Sequence, residues 1–119
     1  MIHAVYDVNN CARVLQVSPA QIMGAMRETC QLLGNTARSE LIERFQPHGV
    51  TCVLVLAESH IVVTTWPEFE LAHIDVFTCR ADSDPDGAVR PILNLLGGTI
   101  ALTGRIPRLA LRGPGSGSP

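Results

Sequence analysis

Glu58 and Ser59 lie side by side between two apolar runs, in the sequence Ala57-Glu58-Ser59-His60. Thr65-Trp66-Pro67-Glu68 follows, and then Asp75-Val76-Phe77-Thr78-Cys79. A serine behind a glutamate, with a Trp-Pro-Glu turn and a cysteine downstream, suggests a chain that cuts itself and turns Ser59 into a covalently bound pyruvoyl group. The sequence contains no lysine at all. A decarboxylase built on it has no internal amine to hold pyridoxal phosphate as a Schiff base and must draw its electron sink from its own backbone.

These residues need a core to hold them. The chain has 119 residues, enough for one domain, which is expected over 1–112. Hydrophobic residues make up 46% and charged residues 17%, which excludes an intrinsically disordered chain. A net charge of -2 without a basic cluster argues against a nucleic-acid partner. No apolar run is long enough to span a bilayer. Met1-Ile2-His3-Ala4-Val5-Tyr6-Asp7 lacks the basic start and apolar stretch of a signal peptide, so a cytoplasmic location with reduced thiols is expected. Cys11, Cys30, Cys52 and Cys79 form no CxxC pair, and His3, His48, His60 and His73 do not fall at zinc-finger spacings, so no metal is expected. The first three cysteines read as small buried hydrophobes.

Residues 2–8 are apolar and rich in β-branched types, as in a strand. Ser18-Pro19 pairs an N-cap with proline at the first helical position, and Ile22, Met23, Met26, Cys30 and Leu33 recur at helical spacing before Gly34-Asn35. This predicts an amphipathic helix over 19–33. Residues 36–45 read as a strand, with a helical alternative at 40–43. Strong strands are expected at 50–56, 61–66 and 71–79, with Ala57 to His60 as a tight connection between the first two. A second helix follows Asp84-Pro85 and ends at Gly97-Gly98; strands at 99–102 and 106–111 close the pattern. The tail 113–119 has linker composition and is expected to be disordered. The order predicts an α+β two-layer sandwich, a mostly antiparallel sheet with two helices on one face. The other face then calls for a cover, and a partner chain is the natural one.

With these elements in place, the sequence resembles the bacterial S-adenosylmethionine decarboxylase proenzymes. The resemblance runs from Asn10-Cys11 through Arg44-Phe45-Gln46-Pro47-His48-Gly49-Val50-Thr51 to Glu58-Ser59-His60, Thr65-Trp66-Pro67-Glu68 and Asp75 to Cys79, and covers most of the chain. It implies that the Ser59 hydroxyl attacks the Glu58 carbonyl, that loss of the Ser59 α-proton eliminates the resulting ester, and that the products are chains 1–58 and 59–119. The pyruvoyl group derived from Ser59 would form a Schiff base with a substrate carrying an α-amino acid moiety. Cys79 would return a proton after carbon dioxide leaves. Phe45 would stack on the adenine, Glu68 would bind the ribose hydroxyls and Trp66 would wall the pocket. The implied role is in spermidine, and hence polyamine, biosynthesis, by a homodimer of cleaved protomers.

The sequence also departs from that pattern. Thr64 stands where the family has the histidine that helps remove the serine α-proton, and threonine is no base near neutral pH. Either processing is slow or stops at the ester, or another group takes the proton. His73 is a candidate, whereas His60 belongs to the family pattern already. Thr51 replaces the family's serine and keeps a hydroxyl for the first step. Arg80 follows Cys79 where the family has glycine. These departures leave L-ornithine or L-arginine as alternative substrates. An unprocessed homologue that binds a ligand or a partner is the alternative of another class.

Overall fold

The computed structural model describes residues 1–79 and 82–109. The expectations for Arg80 and for the tail at 113–119, with the boundary before it, lie outside the described residues. In chain order the strands are β1 (Ile2–Asn9), β2 (Ala37–Arg44), β3 (Val50–Leu56), β4 (His60–Trp66), β5 (Leu71–Thr78) and β6 (Thr99–Pro107); the helices are α1 (Pro19–Leu32), α2 (Pro85–Ala88) and α3 (Arg90–Leu96). The strands form one sheet in the order β2-β3-β4-β5-β1-β6. Every pairing among them is antiparallel. With the helices on one face, this is the α+β sandwich read from the sequence.

Strand alternation decides which face is which. Tyr6, Val8, Leu54, Ile61, Val63, Ile74 and Val76 point toward the helices and are at most 1% exposed. Each such side chain contributes about 1.5–3 kcal/mol on burial. They meet Ile22, Met23, Met26 and Cys30 of α1 and Ile92 and Leu96 of α3. The alternate residues on these strands, among them Val5, Thr51, Val53, Thr64, His73 and Phe77, form a second face that is only half-buried. No helix among the described residues covers that face.

The helix ends are set locally. The Ser18 hydroxyl accepts from the Gln21 N–H at 3.1 Å, and the Gln21 side chain accepts from the Ser18 N–H at 2.8 Å, a complete capping box. Past α1, Gly34 takes a φ of 68° and the Asn35 N–H returns to the Cys30 carbonyl at 3.0 Å. The second helical segment is broken at Val89, because Pro91 has no N–H to give and disfavours helical backbone at Arg90. The two strands expected at 99–102 and 106–111 are one strand, β6, paired with β1 from Asn9↔Thr99 to Ile2↔Pro107 with a register shift at Asp7/Val8. Gly98 leads into it where no side chain fits: a Cβ there would stand 2.6 Å from Val8 and 2.8 Å from Cys11 Sγ.

Candidate active site

β3 and β4 are joined by only three residues, Ala57, Glu58 and Ser59, after the last pair Val55↔His60. The turn is pinned at both ends: the Leu56 N–H donates to the Ser59 carbonyl and the Ala57 N–H to the Thr36 carbonyl, each at 2.9 Å. Glu58 is exposed and Ser59 half-buried. The Asn35 amide accepts from the Thr36 N–H through Oδ1 at 2.9 Å, which turns its Nδ2 toward the Ser59 hydroxyl oxygen at 3.3 Å. Cys79, just past β5, donates its thiol to Glu58 Oε2 at 3.1 Å. Thus Glu58, Ser59, Cys79 and Asn35 meet at one end of the sheet.

Phe45, Trp66 and Glu68 gather at the other end. The Phe45 and Trp66 rings stack with centroids 6.0 Å apart and planes at 30°. Phe45 is held by the β2–β3 turn, where its N–H donates to the Gly49 carbonyl at 2.8 Å and Gln46-Pro47 is cis. Gly49 has a φ of 105°, and a Cβ there would stand 2.9 Å from the Thr65 carbonyl oxygen and 3.1 Å from the Phe45 ring. Glu68 is exposed in the single turn Pro67–Phe69 that follows β4. A cavity of about 330 Å³ lies behind this turn on the helix side, lined by Leu15, Pro19, Ile22, Phe45 and His48 among others; Ser59 does not line it.

Between the two ends, one row of cross-strand neighbours crosses the open face: Glu43, Thr51, Thr64, His73 and Asp7. The Thr51 and Thr64 hydroxyls are 3.0 Å apart. The Trp66 indole N–H donates to His73 Nδ1 at 3.3 Å, and His73 Nε2 lies 3.9 Å from Asp7 Oδ1. This row is not beside Ser59. Thr64 stands five residues along β4 from Ser59, about 16 Å at strand rise, and Trp66 about 23 Å. Nearer the Ser59 end, a second row places His60, Phe77 and His3 side by side, with His3 Nε2 donating to Asp75 Oδ1 at 3.2 Å.

The cysteines divide by environment. Burial pushes the Cys11 and Cys52 thiols up to about 11, and burial likewise raises Cys30. Cys79 is half-buried at the sheet end. Among the described residues no group of three or more His, Cys, Asp or Glu side chains is placed to hold a metal ion, and no helix is long and apolar enough to cross a membrane.

Sequence reading did not single out Asn35 or Asp7. Asn35 carries the ordinary signal of a helix stop, and Asp7 that of a strand-surface acid. The hydrogen bonds show Asn35 aimed at Ser59, and the pairing register shows Asp7 facing His73.

The family model described as S-adenosylmethionine decarboxylase matches residues 2–108. The chain is 35% identical over 83 residues to the S-adenosylmethionine decarboxylase proenzyme of Thermosipho melanesiensis and 37% identical over 83 residues to that of Thermotoga maritima. Each alignment covers 70% of this chain but only 64% of the relative's length. With the proenzyme of Caldicellulosiruptor saccharolyticus the identity is 31% over 106 residues, 89% of this chain and 86% of the relative. The fold is similar to the crystal structure of the adenosylmethionine decarboxylase of Aquifex aeolicus, with a TM-score of 0.72 and 27% identity over 98% of this chain and 96% of that one.

Proposed function

The chain belongs to the S-adenosylmethionine decarboxylase family, and from that premise we propose that it is a self-processing, pyruvoyl-dependent decarboxylase acting on S-adenosylmethionine in polyamine biosynthesis. The observation that carries this reading is the meeting of Glu58, Ser59 and Cys79 in a chain without lysine. The Glu58–Ser59 bond lies in a tight, accessible turn, the Ser59 hydroxyl is held by Asn35, and a thiol stands against the residue on the acyl side.

In this reading the Ser59 Oγ attacks the Glu58 carbonyl carbon, the C–N bond breaks, and an ester takes its place. Removal of the Ser59 α-proton drives out the Glu58 carboxylate, and hydrolysis releases ammonia and leaves a ketone at position 59. The pyruvoyl group so formed supplies an electron sink for loss of carbon dioxide from an α-amino acid. The residues present fit it: the new N-terminus emerges at the start of β4, beside the Cys79 thiol that would protonate the product carbon. Phe45 and Trp66 offer a stacked aromatic wall to the adenine, and Glu68 an exposed carboxylate to the ribose hydroxyls. An adenosyl substrate uses all three, which favours it over ornithine or arginine.

One protomer does not bring these groups together, since the aromatic wall and the Thr51–Thr64 pair lie about 16–23 Å from Ser59 along β4. A symmetric dimer does. In an isologous contact each patch meets its complement on the second copy. Two open faces laid together with their strands reversed set the Thr51, Thr64 and Phe45 end of each copy over the Ser59 end of the other. The half-buried valines at positions 5, 53 and 62 give that contact an apolar centre.

Intact mass under denaturing conditions is the first test. Two fragments ending at Glu58 and starting at a blocked residue 59 are expected. A single full-length species would overturn the enzyme reading in favour of an unprocessed binding protein. Carbon dioxide release from labelled S-adenosylmethionine, ornithine and arginine then reads out the substrate, and release from either of the last two alone would overturn the adenosyl assignment.

A further inference from the structure

We infer that His73 is the base that takes the Ser59 α-proton during self-cleavage, reaching Ser59 of the second copy across the paired open faces, and that Asp7 positions it. The inference rests on the self-processing reading above.

His73 is the only imidazole in the row that carries the Thr51–Thr64 hydroxyl pair, and it stands directly opposite Thr64. Its two nitrogens are distinguished by their neighbours. An indole nitrogen only donates, so the contact from Trp66 Nε1 places a lone pair on Nδ1, and the neutral ring carries its proton on Nε2. That Nε2 faces Asp7 at 3.9 Å, too long for a hydrogen bond but close enough for an ion pair once the ring is charged. A lone pair on one side and a carboxylate behind the other is the arrangement of an oriented general base. The remaining histidines are placed differently. His3 already donates to Asp75, His60 packs its ring against Phe77 at 5.4 Å, and His48 lies exposed in the β2–β3 turn.

The step balances as an elimination. Trp66, itself exposed, releases Nδ1, and Nδ1 takes the α-proton of the ester at residue 59. The C–H electron pair forms the Cα=Cβ bond, the Cβ–Oγ bond breaks, and Glu58 departs as a carboxylate. Nothing is oxidised or reduced. The charged ring then has a donor on both nitrogens, so it loses Trp66 and gains Asp7, and the proton passes to water.

The test uses the full chain and follows cleavage by denaturing mass analysis. His73→Asn should slow cleavage about 100-fold or more and accumulate an ester at Ser59 that hydroxylamine cuts, which a chain failing to fold would not form. Asp7→Asn should slow cleavage, and Asp7→Glu should restore it in part. A differently tagged Ser59→Ala chain, itself uncut, should restore cleavage of co-expressed His73→Asn, because it supplies an intact His73 from the second copy. Thr64→His on the His73→Asn background should also rescue. If the wild-type chain neither cuts nor yields to hydroxylamine, the self-processing reading fails and takes this inference with it. If the wild type cuts and His73→Asn cuts at the same rate, or is rescued by neither the second chain nor Thr64→His, the reading survives and the role of His73 is overturned. A block of cleavage by His3→Asn alone would overturn that role equally.

Discussion

The thiol of Cys79 donates to the carboxylate of Glu58 across 3.1 Å, tying the end of β5 to the residue on the acyl side of the Glu58–Ser59 bond. The contact puts a proton-bearing sulfur beside the place where the new N-terminus would emerge. It needs no dimer, since both residues belong to one chain.

Cys79→Ala should therefore separate the two halves of the reaction. Cleavage at Ser59 should proceed to the wild-type extent, and carbon dioxide release should fall about 100-fold. Mass analysis and labelled-carbon release on one preparation make the comparison. A variant that cuts poorly but decarboxylates normally once cut would move Cys79 from proton return to processing.

Asn35 gives a finer test of the serine. Its Oδ1 is engaged by the Thr36 N–H, so only its Nδ2 serves the Ser59 oxygen. Asn35→Ala removes both contacts. Losing the hydrogen bond to Ser59 costs about 1 kcal/mol, or about fivefold in the cleavage rate, and losing the tie to Thr36 should lower the urea midpoint. Asn35→Asp keeps the tie to Thr36 and offers the Ser59 hydroxyl an acceptor, so the second contact is reversed rather than lost and the urea midpoint should stay nearly unchanged. Cleavage of Asn35→Ala at the wild-type rate would remove Asn35 from the site.

The buried thiols make the fold less stable in alkali. Burial holds Cys11 and Cys52 near 11 in the folded chain, against an ordinary value of 9.0. Between these values the unfolded chain gives up thiol protons that the folded chain keeps. The stability these groups contribute is whole below pH 9 and is lost as pH rises toward 11. Urea midpoints should fall across that window, and less steeply in Cys52→Val. At pH 8, an alkylating reagent should label Cys79 of the native protein well before the other three. Equal labelling rates at all four would contradict the burial.

Much of this is legible in the residues themselves. Strand alternation and the Ser18 capping signal define β1, β3, β4, β5 and α1 because burial on one face enforces the same period that the sequence shows. The residues of β6 read as two strands because Thr103-Gly104-Arg105 resembles a break; pairing with β1 carries the strand through it, and Gly104 lies opposite Val5. Glu58, Ser59 and Cys79 are recognisable as a set. Their separation from Thr64 and Phe45 is not, because a motif records order along the chain, whereas distance depends on the hairpin register that runs β4 straight from one group to the other. Asp7 becomes visible for the same reason, only once β1 is paired with β5.

That separation yields the last prediction. If Ser59 is served by the Thr51–Thr64–His73 row of a second copy, a chain held as a monomer must fail to cut itself. Val53 sits at the centre of the open face, between Leu41 and Val62, with no charged residue directly opposite it. Val53→Lys adds a charge there whose long stem lies along the sheet and keeps its head in water, so the single protomer should keep its fold, read as an unchanged far-ultraviolet circular dichroism spectrum. The same charge buried without a partner between two faces would cost several kcal/mol and block association. Sedimentation velocity should show a dimer for the wild type and a monomer for Val53→Lys, and mass analysis should show only the first to be cut. A Val53→Lys monomer cut at the wild-type rate would mean that Ser59 finds its base within its own chain, and the reversed face-to-face arrangement would have to be abandoned.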